Sequence, residues 1–159
     1  RSKKLAQDPN GIVEVVIDFF KNFPKYAFYD ELFILLPTSP LTIKNDLLEA
    51  YNTYIDKNLS SLMSVSETDH SAFRSLTLNS QGLIDPIFPV EFQKRSQDIQ
   101  KTYRVNGAIT IVKISEFLKK NEYCIDPWGA FIMPKSRSID VDTIDDFKMA
   151  EFFQLNNDK

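Results

Sequence analysis

Two aspartates separated by a single residue stand near the C-terminal end of the sequence. Asp140 and Asp142 alternate with the β-branched residues Ile139 and Val141. Because β-branched residues favour an extended backbone, both carboxylates would share one face, with their Cα atoms roughly 6.6 Å apart. Two carboxylates on one face suit a hard cation such as Mg²⁺, whose other ligands are phosphate oxygens and water.

The alternative is a solvated strand end in front of a helix. Thr143 begins an amphipathic run directly after Asp142. Acidic residues are common before and within the first turn of a helix, where they accept hydrogen bonds from free N–H groups and oppose the helix dipole. Taken by themselves, the two aspartates favour this alternative.

Composition narrows the class of protein. The 159 residues, 43% of them hydrophobic, suit one globular domain, and the net charge of −3 argues against nucleic-acid binding through a basic face. No apolar run approaches the length of a membrane span, and the residues after Arg1 form no signal segment. Cys124 is the single cysteine, which is typical of a reducing cytoplasm.

Hydrophobic periodicity predicts alternating strands and helices in the first half. A helix capped by Asp8, with Pro9 as its first residue, should end before Pro24, and its apolar face comprises Ile12, Val13, Val16, Ile17 and Phe20. A strand buried on both faces is expected over Leu32–Leu36, and another strand over Leu62–Ser66. The helix between them should bury Ile43, Leu47, Leu48, Tyr51 and Ile55. This order implies a right-handed crossover in a parallel sheet.

Short strands and turns follow, and then the regular pattern returns. Residues 69–103, with a turn at Asn79–Gly82, are predicted to form an inserted lobe used for dimerisation. The later elements are a strand over Ala108–Val112, a helix over Ile114–Lys120, a strand over Phe131–Met133, and a last helix. Thr143 should cap that helix with Asp146 at its third position, and Ile144, Phe147, Ala150 and Phe153 should face inward.

Polar segments stand where the predicted strands end. They are Pro37–Pro40, Glu67–His70 and the aspartate pair, and Arg104–Gly107 precedes a further strand. Ligands of open α/β sheets bind beyond the carboxyl ends of the strands, so these segments should meet. Gly107 permits a positive φ or a close backbone approach to a ligand.

Three of these segments resemble, in order and spacing, the motifs of the acylneuraminate cytidylyltransferases, the CMP-sialic acid synthetases and their legionaminic acid relatives. They are residues 35–41, 103–109 and 133–143, and Arg1 with Leu5, Ala6 and Asp8 resembles a fourth motif. The resemblance implies an α/β fold: a Rossmann-like, mostly parallel sheet flanked by helices, of the nucleotide-diphospho-sugar transferase type. Residues 1–159 would form one partial cytidylyltransferase domain with the β-rich lobe inserted in it.

The resemblance also implies a reaction. CTP and a nine-carbon acidic sugar would give the CMP-sugar and pyrophosphate, with Mg²⁺ or Mn²⁺ as cofactor, in a cytoplasmic homodimer that binds neither nucleic acid nor membrane. The family's N-terminal strand, Gly-rich loop and helix, which hold CTP, are not in this sequence. The chain is therefore expected to correspond to the C-terminal two-thirds of the enzyme. The alternative is a catalytically incomplete remnant that keeps only the sugar-binding and dimerisation parts.

Residue roles follow from the resemblance. Asp140 and Asp142 would bind the metal, and either one could accept a proton. Arg104 would act beside the sugar, and Arg1 would contact the nucleotide. Substrate contacts are expected from Thr38, Ser39, Arg74, Arg95 and Asn106. Since Arg74 and Arg95 lie in the inserted lobe, they could serve the site of the partner subunit. The alternatives are a surface turn for Arg104 and Asn106, solvated charges for Arg74 and Arg95, and turn caps for Thr38 and Ser39.

Three positions depart from the family motifs. Leu36 stands where the family has Gln, Thr42 where it has Arg, and Val105 where it has Pro. The loss of an amide and a charge near the sugar leaves open which nonulosonic acid would be used. His70, the only histidine, is expected to be structural.

Overall fold

The computed structural model describes residues 3–7 and 10–156, and it shows a mixed α/β fold. The strands are β1 (Glu31–Ile34), β2 (Ser61–Glu67), β3 (Leu76–Leu78), β4 (Ile84–Pro86), β5 (Tyr103–Lys113) and β6 (Trp128–Ile132). The α-helices are α1 (Ile12–Asn22), α2 (Lys44–Asp56), α3 (Pro89–Phe92), α4 (Ile114–Lys120) and α5 (Ile144–Asn156). None of the helices in the described ranges is long and apolar enough to cross a bilayer.

Four strands form the main sheet in the order β1-β5-β2-β6. β5 runs antiparallel to both β1 and β2, whereas β6 runs parallel to β2. Three of the four strands therefore point the same way. The expected strand–helix–strand unit is present, but β5 lies between its two strands, so β1 and β2 are not hydrogen-bonded to each other.

Helices cover both faces of this sheet. Ile109 and Ile111 of β5 pack in a cluster with Ala50 and Tyr54 of α2. Val112, one position further, packs instead with Phe20 of α1 and with α4. Alternate residues of a strand point to opposite faces, so β5 supplies the core on both sides. This arrangement confirms the predicted α/β class with flanking helices.

The first helix differs from the prediction at its start. It begins at Ile12 with Gly11 as N-cap, and the Glu14 carboxylate accepts a hydrogen bond from the Gly11 N–H at 2.8 Å. The expected cap, Asp8 and Pro9, lies outside the described residues. The end before Pro24 is confirmed, since α1 stops at Asn22.

Two predicted buried faces are partly wrong. β1 is half-exposed rather than buried on both faces, with Phe33 open to solvent and resting against Tyr51. In α2 the fully buried residues are Asp46, Ala50 and Tyr54, whereas the expected Ile43, Leu48 and Ile55 are exposed. Only the expected Leu47 and Tyr51 pack against the core.

The later helices follow their local signals more closely. α4 has the predicted bounds, and β5 and β6 are longer than expected. At the start of α5, Thr143 and Asp146 exchange hydrogen bonds as predicted, with the Thr143 N–H donating to Asp146 at 2.8 Å. The predicted inward face of α5 is wrong for Ile144 and Phe147, which are exposed, while Ala150 is buried.

Residues 69–103 leave the main sheet at the end of β2 and return at the start of β5. Glu67 and Tyr103 are paired at that junction. The segment contains the antiparallel pair β3–β4, and the turn at Asn79–Gly82 joins these strands as predicted, with Gly82 at φ +79°. Many apolar side chains of this segment are exposed. They include Leu76, Leu78, Leu83, Ile84, Ile87, Phe88 and Val90. We refer to residues 69–103 as the lobe.

Candidate active site

A cavity of about 420 Å³ opens where the parallel strands β2 and β6 end. Its wall contains the last residues of β2, the start of β5, the segment after β6, and α5. The lining residues are Ser66, Glu67, Asp69, Arg104, Lys135, Ile139, Asp140, Asp142, Asp146, Met149 and Phe153. The structure thus brings Arg104, Asp140 and Asp142 together, at the carboxyl ends of strands where α/β proteins bind ligands.

Asp140 is the aspartate that lies deeper in this wall. Its Oδ1 is buried and has no hydrogen-bond partner among the described residues. A buried carboxylate oxygen without a partner loses its hydration without compensation, which costs free energy unless a ligand or cation supplies the contact. Asp142, by contrast, is exposed and reaches the same cavity from its rim.

The segment that carries both aspartates is irregular and is not the predicted strand end. Ser138–Asp142 pairs with no strand, and its main fixed point is the Val141 N–H, which donates to the Thr38 carbonyl at 2.8 Å. The expectation that both carboxylates face one side still agrees with the structure, since both line one cavity.

The helix that follows adds a third carboxylate. Asp146 accepts hydrogen bonds from the Thr143 hydroxyl at 2.7 Å and from the Thr143 backbone N–H at 2.8 Å. The hydroxyl and then the backbone N–H favour the charged form, and they lower the pKa of Asp146 below its ordinary value. Asp146 therefore stays ionised beside Asp142 at neutral pH.

Arg104 supplies a cation opposite the aspartates. Arg104 is an exposed residue, and its Nη2 donates a long, partly buried hydrogen bond of 3.4 Å to the Ser138 carbonyl. The remaining N–H groups are available for a ligand, because an arginine has five donors in a planar fork. A carboxylate or phosphate in the cavity would meet this fork.

A second cation, Lys135, was not identified from the sequence. Its Nζ lies 2.5 Å from Oδ1 of Asp69, and both side chains line the cavity. The hydrogen bond from Lys135, followed by its charge, lowers the pKa of Asp69. Five carboxylates, those of Glu67, Asp69, Asp140, Asp142 and Asp146, therefore share the cavity wall with two cations.

Asn106 occupies a different position from the one predicted. Its side chain is 1% exposed and lies behind the cavity, where its polar atoms already have partners. Oδ1 accepts from Ser64 at 2.6 Å and from the Ala108 N–H at 3.3 Å, while Nδ2 donates to Ser138 at 2.9 Å and to the Met133 sulfur at 3.4 Å. A direct contact with a sugar does not fit this arrangement, and Asn106 supports the site from beneath.

Ser64 and Ser138 complete this buried polar network. The Ser64 hydroxyl also accepts the Ile109 N–H at 2.8 Å, and the Ser138 hydroxyl donates to the Pro134 carbonyl at 2.8 Å. Neither serine was singled out from the sequence. The available signal was the series of small polar residues Ser61, Ser64 and Ser66 within an otherwise apolar strand, all of them buried.

Thr38 and Ser39 brace the site and do not line the acidic cavity. Ser39 is buried, and its hydroxyl donates to the Asn106 carbonyl at 3.3 Å. The Thr38 carbonyl holds Val141. These two bonds place β1's outgoing loop against the segment with Asp140, and the substrate contacts expected of both residues stay predictions.

The absence of a side chain at Gly107 allows a close approach between β5 and the residues around the cavity. Its φ is +70°, a region that L residues rarely adopt, as the sequence led us to expect. A Cβ here would lie 3.3 Å from Cδ1 of Leu36 and 3.6 Å from Oδ2 of Asp140. The close approach therefore allows Asp140 to pack directly over the β5 backbone.

The two lobe arginines lie apart from the acidic cavity. Arg74 lines a neighbouring polar cavity of about 230 Å³ together with His70, Lys101 and Gln100, and its Nη2 donates to the Lys94 carbonyl at 2.6 Å. Arg95 is an exposed side chain paired with Asp98 at 2.8 Å and lines neither cavity. The structure thus places Arg74 near the site but not Arg95, and Arg1 lies outside the described residues.

Comparisons with known proteins show which sequences this chain resembles. No protein-family model matches the chain. A pseudaminic acid cytidylyltransferase of Campylobacter jejuni is 25% identical over 99% of this chain and 69% of its own length. An N-acylneuraminate cytidylyltransferase of Streptococcus agalactiae is 29% identical over 92% of this chain but only 35% of its own length. A post-translational flagellin modification protein B of Campylobacter coli is 27% identical over 96% of the chain and 65% of its own length.

The chain thus spans between about a third and about two-thirds of the curated relatives it matches. The two relatives named as cytidylyltransferases differ in the sugar acid of their names, and the similarity to each runs along nearly all of this chain. The chain, with its alternating helices and strands and the acidic cavity at the strand ends, is thus similar in sequence to acylneuraminate and pseudaminic acid cytidylyltransferases.

Proposed function

We propose that the protein joins CMP to a nine-carbon sugar acid of the sialic, legionaminic or pseudaminic type, using CTP and releasing pyrophosphate. The observation that carries this proposal is the acidic cavity at the carboxyl ends of β2 and β6, with the buried, unpartnered Oδ1 of Asp140 in its wall. The names of the relatives, which are cytidylyltransferases of such acids, support the same reaction.

The cavity wall fits a divalent cation held by few protein ligands. Among the described residues, no three His, Cys, Asp or Glu side chains lie close enough to hold a metal by themselves. Mg²⁺ does not need such a cage, since it commonly uses one or two carboxylates together with substrate phosphates and water. Asp140, with its unpartnered oxygen, and Asp142, at the rim, are the residues that would hold Mg²⁺, with Mn²⁺ as a substitute.

The bound cation would neutralise phosphate charge and stabilise the leaving pyrophosphate. The anomeric hydroxyl oxygen of the sugar forms a bond to the α-phosphorus of CTP, and the bond between that phosphorus and the bridging oxygen breaks. Pyrophosphate leaves with the electron pair, and Asp140 or Asp142 accepts the hydroxyl proton. Arg104 orients an anionic group of the substrate, the sugar carboxylate or a phosphate, through its free donors.

The other residues predicted to contact substrate fall into two groups according to whether they line a cavity. Arg74 lies in the neighbouring lobe cavity and can reach a charged part of a long substrate there. Asn106, Thr38 and Ser39 act through the backbone that they hold. Because CTP is the proposed co-substrate, the cytoplasm is the proposed location.

A homodimer formed through the lobe is part of the proposal. A two-stranded sheet is marginally stable in water by itself, and β3 and β4 leave Leu78 and Ile84 exposed. Covering this apolar surface with the same surface of a second copy would form a self-complementary interface. The lobe then lies beside the site of either subunit, which would give Arg74 and Arg95 their substrate roles.

Calorimetric titration with CTP and Mg²⁺, followed by pyrophosphate release with a panel of nonulosonic acids, tests the reaction. Substitution of Asp142→Asn should abolish metal-dependent turnover while the protein stays folded. Asp145→Asn is the matched control, because Asp145 pairs with Lys148 on the surface and does not line the cavity. Turnover of D142N at the wild-type rate would contradict the metal assignment, and a folded wild-type chain without CTP binding would favour the incomplete remnant.

A further inference from the structure

A buried ion pair joins the start of α2 to the turn that precedes Asp140. Asp46, the third residue of α2, is 1% exposed. Its Oδ1 accepts from Nη2 of Arg137 at 2.7 Å and its Oδ2 from Nε at 3.0 Å, which makes the contact bidentate. Oδ2 also accepts the Ile43 N–H at 3.1 Å, so both carboxylate oxygens are satisfied.

Arg137 ends a short 3-10 turn over Lys135–Arg137. The Arg137 N–H donates to the Pro134 carbonyl at 3.0 Å, and the N–H of the next residue, Ser138, donates to the Lys135 carbonyl at 3.0 Å. The segment with the two aspartates starts at Ser138. A displacement of Arg137 would therefore pass directly to that segment.

The segment is fixed at its other end by the hydrogen bond from Val141 to the Thr38 carbonyl. Asp140 lies between this bond and the turn held by Asp46. No strand pairing restrains these residues, so the turn before Ser138, the hydrogen bonds of Ser138 to Asn106 and Pro134, and the bond from Val141 together decide where the Asp140 carboxylate points. The buried ion pair is the only one of the described ion pairs in which a partner is fully enclosed.

The energetics of such a pair indicate a geometric role. Asp46 is fully enclosed, whereas the Arg137 side chain keeps 26% of its surface exposed. The desolvation of such a pair roughly cancels its attraction, so an apolar pair of similar volume would stabilise the fold about as well. Two parallel hydrogen bonds between a carboxylate and a planar guanidinium do, however, fix an orientation that apolar packing does not.

We propose that Asp46 and Arg137 are positioning residues for Ser138–Asp142: they hold this segment so that Asp140 faces the cavity, and neither of them contacts substrate. The consequence for catalysis rests on the proposed function, whereas the consequence for the segment's geometry does not. The two parts can therefore be measured separately.

Amide hydrogen exchange by NMR tests the geometric part. The double variant Asp46→Leu/Arg137→Met keeps an apolar contact in place of the pair. The Val141 amide should exchange at least tenfold faster in this variant, while the Val112 amide in the core of β5 keeps its wild-type rate. Arg137→Lys, which retains the charge but not the bidentate contact, should give an intermediate rate. The exposed pair offers a matched control, and Asp145→Asn/Lys148→Met should leave Val141 unchanged.

Unchanged Val141 exchange in a folded double variant would overturn the proposal. If the double variant does not fold, Asp46→Asn and Arg137→Lys provide the same comparison singly.

Mn²⁺ binding gives the second readout: we expect a dissociation constant at least tenfold higher in the double variant than in wild type, with Arg137→Lys restoring part of the affinity. Native Mn²⁺ affinity alongside fast exchange would overturn the part of the proposal in which the pair places Asp140 for the metal. A wild-type chain that neither binds Mn²⁺ nor turns over CTP would count against the proposed function alone.

Discussion

The wall behind Asp140 and the lobe differ in which side chains they bury and which they expose. Behind Asp140, Ser64, Asn106 and Ser138 are buried polar residues with hydrogen-bond partners. In the lobe, apolar side chains such as Leu78 and Ile84 are exposed, and the charged residues pair at the surface. The hydrogen bonds of the first region can fix the geometry of the site within one chain. The second region instead has exposed apolar surface that a partner could cover. Three experiments compare these regions, and a fourth concerns the start of α5.

The largest effect is expected from removing the centre of the buried network. Asn106→Leu would leave the Ser64 hydroxyl and the Ala108 N–H without their acceptor in a buried place. Each such group costs about 1–3 kcal/mol, so the free energy of unfolding should fall by about 3 kcal/mol in urea titrations. Asn45→Leu, at an exposed position of α2, is the control and should change it by less than about 0.5 kcal/mol. Equal effects of the two substitutions would show that the network is not specially stabilising.

Two glycines with positive φ, one in each region, give a matched pair. Gly107→Ala and Gly82→Ala share a backbone cost of roughly 1–2 kcal/mol. Only at Gly107 does the new methyl group meet neighbours, Leu36 and Asp140, whereas Gly82 faces open space. G107A should therefore lower both thermal stability and pyrophosphate release, while G82A lowers stability alone. Full turnover by G107A would show that the close approach to Asp140 is not needed.

A charge on the lobe should change association rather than stability. Leu78 is 71% exposed, so Leu78→Lys should shift the free energy of unfolding by no more than about 0.5 kcal/mol. Sedimentation velocity should nevertheless show weaker self-association. Leu155→Lys, at an equally exposed position of α5, should leave association as in wild type. A loss of association in L155K but not in L78K would move the interface from the lobe to α5.

The smallest expected effect is on the thermal stability of the protein at acid pH, through Asp146 at the start of α5. The pKa of Asp146 is lowered in the folded state, so the unfolded chain binds more protons below the ordinary value of 3.8. The stabilisation is thus complete above that pH and is lost as pH falls through the lower, folded pKa. Thermal unfolding of wild type and Asp146→Asn should differ at pH 6 and converge in acid. A difference independent of pH would assign the effect to the hydrogen bonds alone.

Local signals in the sequence were sufficient for some elements. The bounds of α4, the exchange of hydrogen bonds between Thr143 and Asp146, and the turn at Asn79–Gly82 depend on neighbouring residues and were predicted. The meeting of Glu67, Asp69, Asp140 and Asp142 also followed from a general rule, that ligands bind at the carboxyl ends of strands.

Features that depend on distant parts of the chain were not predicted. The position of β5 between β1 and β2 is set by long-range pairing, and periodicity carries no information about it. The resemblance to the family motif predicted a substrate contact for Asn106, yet partners on β2 and after β6 enclose it. The roles of Asp140, Asp142 and the lobe stay predictions until the experiments above are done.

The ion pair between Lys135 and Asp69 affects how strongly the cavity can attract an anion and how that attraction depends on salt. An anion that reaches Lys135 meets a cation whose charge Asp69 already partly offsets, so the net attraction is smaller than that of a free lysine. Added salt weakens both the ion pair and the attraction of the anion. Affinity for an anion should therefore fall less steeply with ionic strength than the charge of the ligand suggests, and discrimination between ligands would rest on shape more than on charge.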